Sequence, residues 1–503
     1  MKTIRKVLVA NRGEIAVRII RTCREMGIGS VAVFSDADRT ALHVRLADEA
    51  YRLGGSPPSE SYLQQEKIIE AALQTGSDAI HPGYGFVSEN PGFAELVQSK
   101  GLIFIGPGGA AIRTLGDKTA ARKLARNLGI PTIQGSLEAL KGDQEAFTCA
   151  KEVGYPIMIK AAAGGGGKGM RIVRGESDLA SALQMARSEA KTAFHDDRVY
   201  IEQYIDAPRH IEIQILADAH SNVVHLGERE CSIQRRHQKV IEESPSPALD
   251  DQTREELGKA AVRLARAAQY VNAGTMEFLV DRNKAFYFLE VNTRLQVEHP
   301  VTEALTGLDM VRAQIRIAEG HPLPYRQEEI RREGYALECR ICAEDPRNQF
   351  FPSSGRLTRY TPPEGRIRVE NGYREGDTVS LHYDSLIAKV ISYGPSREEA
   401  VRAMDRALSE FHIEGVETTI PFCRFVLTHP AFLSGTFDTN FVEQHYSPDI
   451  LHPAERDQNE SVVAALAAVL LRDRATQQAI IPPGEVGDGI SRWKLLRREG
   501  MRE

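Results

Sequence analysis

Long hydrophobic runs are missing from this sequence. The longest apolar stretch, Val462 to Leu471, is half of what a membrane-spanning helix needs. No secretory leader is expected either. Met1-Lys-Thr-Ile-Arg-Lys runs straight into a short strand-like Val7-Leu-Val-Ala, with no long apolar region and no small-residue cleavage site. A cytoplasmic location is therefore expected. Cysteine is scarce, at 6 in 503 residues, which is too few for a disulfide framework. Cys339 and Cys342 have C-x-x-C spacing, but Ala336-Leu-Glu-Cys-Arg-Ile-Cys-Ala reads as a strand and no second pair completes a zinc site. Neither sign of charge dominates. The 63 basic and 69 acidic residues leave a net charge of −6, with no general pull toward nucleic acid or an anionic membrane. Internal repeats and low-complexity segments are absent.

What is present is an ordinary globular composition, 42% apolar and 26% charged, in a chain too long for one hydrophobic core. The first third alternates strand and helix. Lys6-Val-Leu-Val-Ala reads as a strand, Ile15 to Met26 as a helix and Ser30-Val-Ala-Val-Phe as a second strand. A helix near Tyr62 to Gln74 and strands at Asp78-Ala-Ile and Leu102-Ile-Phe-Ile follow. Such alternation predicts a parallel sheet that binds ligands at the carboxyl ends of its strands. The turns there, Asn11-Arg-Gly, His81-Pro-Gly-Tyr-Gly-Phe and Gly106-Pro-Gly-Gly, are glycine-rich. From about Pro131 the pattern becomes α+β. Strand Tyr155 to Lys160, the loop Gly164-Gly-Gly-Gly-Lys-Gly169, strand Met170-Arg-Ile-Val, a helix and strand Val199 to Glu202 suggest a small lid. A larger mixed region runs from about Asp206 to Ser447, and helices are expected over Val462 to Arg474 and from Ser491.

The chemistry-bearing residues cluster in a few segments. The glycine loop lacks the Gly-Lys-Ser/Thr ending of a P-loop, and serves equally as a phosphate cover or a surface hairpin. Lys160 ends an apolar strand, where it either snorkels or meets a phosphate. Lys118, in Gly116-Asp-Lys-Thr, stands at a helix start and reads by itself as a solvated first-turn lysine. The acidic residues are more specific. Glu277 lies in strand Gly274 to Val280, and Glu290 and Asn292 share a face of strand Phe286 to Asn292. Three hard oxygen donors on two adjacent strands suit Mg²⁺, and burying them without a cation would be costly. In Asn292-Thr-Arg294-Leu-Gln296-Val297-Glu298-His299-Pro300, Arg294 can grip a small planar anion and Glu298 can accept a proton. Glu228-Arg-Glu-Cys-Ser-Ile-Gln234-Arg-Arg-His237-Gln-Lys239 adds cations, though alone it could be a solvated basic patch. Arg340 is a lone arginine on an apolar strand and needs a partner or an anionic ligand.

These residues together resemble the biotin carboxylase family of ATP-grasp enzymes over roughly residues 1 to 447. The resemblance is carried, in order, by Ala10-Asn-Arg-Gly-Glu-Ile-Ala, His81-Pro-Gly-Tyr-Gly-Phe-Val-Ser-Glu-Asn, the Glu228 to Lys239 segment, Glu290 to Glu303, and Glu338-Cys-Arg-Ile-Cys-Ala-Glu-Asp-Pro. It implies a mixed α/β and α+β ATP-grasp fold. A Rossmann-like preATP-grasp domain would span 1–130, a mobile lid 131–205, and the ATP-grasp body with the C-terminal domain 206–447. Residues 448–503 would form an extension. It further implies that Lys118, Lys160, Gly166, Gly167, His210, Gln234 and His237 contact ATP and that Glu202, Gln203, Tyr204 and Ile205 line the adenine. Glu277, Glu290 and Asn292 would hold Mg²⁺ or Mn²⁺. Lys239, Arg294, Gln296 and Val297 would surround bicarbonate, Glu298 would deprotonate it, and Tyr84 and Arg340 would serve biotin, with Arg340 stabilising its enolate.

By the same resemblance, bicarbonate attacks the γ-phosphoryl group to give carboxyphosphate, whose breakdown supplies CO₂ to biotin. One departure is Lys168, where the family often has arginine. No Met-Lys-Met biotinylation motif is present, and Lys389 sits in Ala-Lys-Val. Biotin is thus expected on a separate biotin carboxyl carrier protein and the acceptor on a carboxyltransferase subunit. A homodimer is expected through Arg18, Arg21 and Glu25 of the first helix. The alternatives are a bicarbonate-activating ligase of the carbamoyl-phosphate type and a non-catalytic ATP-binding subunit. The extension is expected to dock partner chains. Deleting 451–503 should weaken assembly, read by sedimentation, while sparing activity on free biotin; unchanged assembly would rule this role out.

Overall fold

The computed structural model describes residues 2–136, 138–162, 169–451 and 466–469. Gly166, Gly167 and Lys168, and the expected terminal helices apart from a helical turn at 466–469, lie outside the described residues. The chain divides into two units, Met1–Pro448 and Asp449–Glu503.

The first unit begins with a parallel five-stranded sheet of β1 (Lys6–Val9), β2 (Gly29–Ser35), β3 (Glu49–Gly54), β4 (Ala79–His81) and β5 (Ile103–Phe104), in the order β3-β2-β1-β4-β5. Helix α1 (Gly13–Glu25) connects the first two strands. It starts two residues before the predicted Ile15. The edge strand β3 is largely exposed and has no alternating apolar signature, so the sequence reading assigns no strand there. Strand order reverses between β1 and β4, and at the carboxyl ends of these two strands the expected turns meet. Asn11 donates from Nδ2 to the carbonyls of Pro82 and Tyr84, at 2.7 Å each. Gly83 sits at φ +63°, where a Cβ would stand 2.9 Å from that amide, so the approach requires glycine.

Helix α2 (Lys118–Asn127), capped by the Asp117 side chain on the Ala120 amide, leads to a smaller three-stranded antiparallel sheet. Its strands β6 (Ile157–Ala161), β7 (Arg171–Val173) and β8 (Val199–Gln203) run in the order β7-β6-β8. Ile157, Ile159, Val173 and Ile201 pack under the helices Asp143–Val153 and Leu179–Phe194 as a separate small core.

The remaining residues build an eight-stranded antiparallel sheet. Its strands are β9 (Arg209–Ala217), β10 (Val223–Arg235), β11 (Gln238–Ser244), β12 (Asn272–Val280), β13 (Phe286–Asn292), β14 (Tyr335–Cys342), β15 (Ile367–Asn371) and β16 (Leu386–Gly394). The order is β13-β12-β9-β10-β11-β14-β16-β15. On β9, Ile211, Ile213 and Ile215 face one core while His210, Glu212 and Gln214 face the other side. A register shift between Glu277 and Phe278 pairs Phe278 with Phe288 but Glu277 with Glu290. This bulge lets Phe288 enter the core while Glu290, two residues on, turns to the polar face. The six cysteines are free thiols, and Cys339 and Cys342 are buried strand residues as expected. Among the described residues no helix is long and apolar enough to cross a membrane.

Candidate active site

Register alone assembles a row of carboxylates. Glu212 on β9 pairs with Glu277 on β12, which pairs with Glu290 on β13. Like charges facing one another across strands repel unless a cation intervenes. Here the cation is Lys239, projecting from β11. Its ammonium binds Glu212, reaches Glu277 at 2.9 Å and reaches Glu298 at 2.7 Å. Arg229, fully buried, clamps the other oxygen of Glu212. His210 Nε2 lies 2.9 Å from Glu277. At the outer end of the row Lys118 pairs with Glu290 at 2.8 Å. The burial of Lys118 disfavours its charge, but Glu290 outweighs this and raises the lysine above its ordinary value.

Glu298 is the N-cap residue of the helix His299–Thr306 and is completely buried. Its two oxygens meet different cations, Lys239 at 2.7 Å and the Arg340 guanidinium at 2.9 Å. Burial pushes this carboxyl up, but Lys239, Arg340 and Arg229 outweigh it and hold Glu298 well below the usual carboxylate range. Arg340 also donates from Nε to Glu242 at 2.6 Å. Burial, opposed by Arg340, raises Glu242 to about 7.

The segment before Glu298 is equally bonded. Arg294 donates to Glu89 at 2.9 Å, to Asn292 Oδ1 at 3.0 Å and to Gln296 Oε1 at 3.3 Å. Asn292 Nδ2 and Gln296 Nε2 both donate to Glu277, at 2.8 Å and 3.2 Å. The Val297 carbonyl accepts from Lys389 at 2.7 Å. Thus Lys239, Glu277, Asn292, Arg294, Gln296, Glu298, Arg340 and His210 form one bonded set, and Val297 stands between two of its members along the chain. Lys160 belongs to a second cluster, pairing at 2.5 Å with Glu202, which Arg122 also holds at 3.0 Å. Glu202 to Ile205 lie at the end of β8 and beyond, while Gln234 and His237 lie at the end of β10 and in the turn to β11. Tyr84 is reached through Glu14, to which its hydroxyl donates.

The carboxylate row fits a divalent cation. Glu277, Glu290 and Asn292 offer hard oxygens, and single atoms of His210, Glu212 and Glu277 lie within 4.8 Å of one another. The sequence reading assigns no role to Glu212, Glu242 or Glu89. The first was legible in His210-Ile-Glu-Ile-Gln-Ile, where polar residues alternate with a core-facing set; Glu89 lies inside a motif already singled out. The Arg18 side chain is 3% exposed and is held within the chain by Glu303 and Asp309, both at 2.8 Å. Arg21 and Glu25 remain partly exposed, at 43% and 51%.

Biotin carboxylase 1 of Bacillus subtilis is 52% identical over 444 residues, covering 88% of this chain and 99% of the relative. The chain belongs to the biotin carboxylase family. Residues 3–112 match the biotin carboxylase N-terminal domain and 338–444 the biotin carboxylase C-terminal domain. Residues 117–326 match the ATP-binding domain of the carbamoyl-phosphate synthase L chain, and the fold is ATP-grasp. The human mitochondrial propionyl-CoA carboxylase alpha chain is 48% identical over 503 residues, 98% of this chain and 69% of the relative. The biotin carboxylase domain dimer of Hydrogenobacter thermophilus 2-oxoglutarate carboxylase, solved with MgADP and bicarbonate, superposes with a TM-score of 0.88. It shares 48% identity and covers 90% of this chain and 100% of that one.

Lys239 should be the most costly cation to remove. Lys239→Met leaves three buried carboxylates without their shared partner, an expected loss of about 3–5 kcal/mol at pH 7, read from the denaturant midpoint. Glu298 sits below its unfolded value in the wild type, so its contribution is complete above about pH 4.3 and fades as pH falls through the lowered value. In the variant the same carboxyl rises and costs stability at neutral pH. The deficit should therefore narrow on acidification toward pH 4.

Proposed function

We propose that this chain catalyses the ATP- and bicarbonate-dependent carboxylation of biotin borne on a separate carrier protein. The observation that carries the reading is Glu298, a fully buried carboxylate held between Lys239 and Arg340 beside a row of hard oxygen donors. Bicarbonate is a weak nucleophile until it loses a proton, and Glu298 is the base within reach of the Lys239–Arg294–Gln296–Val297 pocket. Paired with two cations, it is a weak base. An anion that competes for Lys239 and Arg340 withdraws that stabilisation and raises its basicity as substrate enters.

On this reading Lys118, Lys160, Gly166, Gly167, His210, Gln234 and His237 bind ATP, with Glu202, Gln203, Tyr204 and Ile205 around the adenine. Glu277, Glu290 and Asn292 would hold Mg²⁺, or Mn²⁺, which neutralises phosphate charge during transfer. A bicarbonate oxygen attacks the γ-phosphorus and ADP leaves. The resulting carboxyphosphate breaks at its carbon–oxygen bond into CO₂ and phosphate. The phosphate then takes the proton from biotin N1′, and the nitrogen attacks CO₂. Arg340, held by Glu242 and Glu298, is a fixed positive charge for the enolate oxygen, and Tyr84 lines the biotin side.

Partners follow from the same reading: a biotin carboxyl carrier protein, a carboxyltransferase subunit and a second copy of this chain, in a cytoplasmic setting. We assign 1–130, 131–205, 206–447 and 448–503 as the corresponding domains and extension. The carbamoyl-phosphate type of ligase shares the chemistry up to carboxyphosphate, and the match of 117–326 keeps it as the second reading. Arg340 and the match of 338–444 favour biotin.

The test is ADP release by the purified chain with Mg²⁺ and bicarbonate, with and without free biotin. Biotin should stimulate release, and Arg340→Ala should abolish the stimulation while leaving ATP affinity within about two-fold, because Arg340 bonds no expected ATP residue among the described residues. Stimulation by ammonia in place of biotin would move the chain to the carbamoyl-phosphate class.

A further inference from the structure

Lys389 lies in the middle of β16 and is fully buried. Its direct cross-strand neighbours are Arg340 on β14 and Glu370 on β15. Placing an ammonium opposite a guanidinium inside a sheet is unfavourable, and an apolar residue would pack more simply. The lysine is held by two contacts: its Nζ donates to the Val297 carbonyl at 2.7 Å and pairs with Glu14 at 3.1 Å. Glu14 in turn accepts from the Tyr84 hydroxyl. The other titratable groups around it are Glu338, whose oxygens have no hydrogen-bond partner among the described residues, Glu370, Arg340 and the helix-leading His299. Burial raises Glu338 well above the carboxylate range despite Lys389 and raises Glu14 to about 7 against the same lysine, while Arg368, Arg21 and Lys389 outweigh burial at Glu370 and lower it.

We propose that Lys389 is a positioning residue: it fixes the Val297 carbonyl and, through Glu14, ties the Tyr84 turn of the N-terminal sheet to the bicarbonate segment. The inference rests on the carboxylase reading above. A peptide unit is planar, so holding the Val297 oxygen also places the Glu298 amide and Cα, from which the Glu298 side chain leaves. Lys389 touches no reacting atom. It sets where the base points and makes that position depend on the turn carrying Tyr84, so the two halves of the reaction share one strut.

The experiment uses the full chain and measures KM for bicarbonate and for ATP in biotin-dependent ADP release, together with thermal unfolding. Lys389→Met should raise KM for bicarbonate about ten-fold or more with KM for ATP within about two-fold, since a displacement near 1 Å at a reacting centre is costly. An unchanged KM for bicarbonate, or equal changes in both KM values, would mean that the lysine is merely structural and would overturn the proposal. Should Lys389→Met fail to fold, Glu14→Gln decides. It keeps the shape and the Tyr84 acceptor but loses the charge, and should raise KM for bicarbonate about three-fold; no change overturns the proposal. Should the wild type show no response to biotin, the carboxylase reading falls. The strut is then read from the rise in unfolding temperature that bicarbonate gives in the presence of MgADP. A smaller rise in Lys389→Met or Glu14→Gln supports it, and an equal rise overturns it.

Discussion

The structure of the site depends on a single ammonium shared by three buried carboxylates. Lys239 meets Glu212, Glu277 and Glu298 at once, and without it those groups would repel across three elements of the body. An apolar sheet face would be more stable than this arrangement, because desolvating four charges is expensive even when they pair. The polar face therefore marks the region where the fold gives up stability for chemistry. Every cation in it is already matched to a carboxylate: Arg340 to Glu242 and Glu298, Arg294 to Glu89, Lys118 to Glu290, Lys160 to Glu202. On the proposed reading, phosphate, bicarbonate and metal would bind there by exchanging partners, and substrate binding would itself alter the basicity of Glu298.

The fold makes the exchange possible by setting rigid strands on one side of a single apolar core. Ile211, Ile213 and Ile215 anchor β9, and the bulge in the β12–β13 pair turns Glu290 out of the core and beside Glu277. One residue of register decides whether that pair of acids faces solvent or hydrocarbon. The segment after β13 is irregular, but it is fixed by bonds to Glu89, in the turn that follows β4, and to Lys389 of β16.

The sequence made much of this legible because its motifs carry chemistry densely. Glu277, Glu290, Asn292, Arg294 and Glu298 stand out as polar residues among apolar ones; the structure bonds Glu277, Asn292, Arg294 and Glu298 into one network and sets Glu290 opposite Glu277. The exposed charged loop that Arg294 to Glu298 could have been is excluded by the complete burial of Glu298. Other parts were illegible for definite reasons. Glu242 stands on a strand whose pairing no local pattern reveals, and β3 is an exposed edge strand whose order comes from β2. The burial of Arg18 against Glu303 and Asp309, far away in sequence, has no local signature either. The bulge that orients Glu290 has no signature in Phe286-Tyr-Phe-Leu-Glu-Val-Asn.

The central claim is that the Lys239–Glu298–Arg340 constellation activates bicarbonate as a nucleophile toward the γ-phosphoryl group. The most direct test is oxygen transfer from ¹⁸O-labelled bicarbonate during biotin-dependent turnover, with the released phosphate analysed by mass spectrometry. Attack through a bicarbonate oxygen, followed by carbon–oxygen cleavage, leaves one labelled oxygen in each phosphate formed. Phosphate labelled in this way is the result the account predicts. Unlabelled phosphate would mean that water attacks ATP and would contradict it.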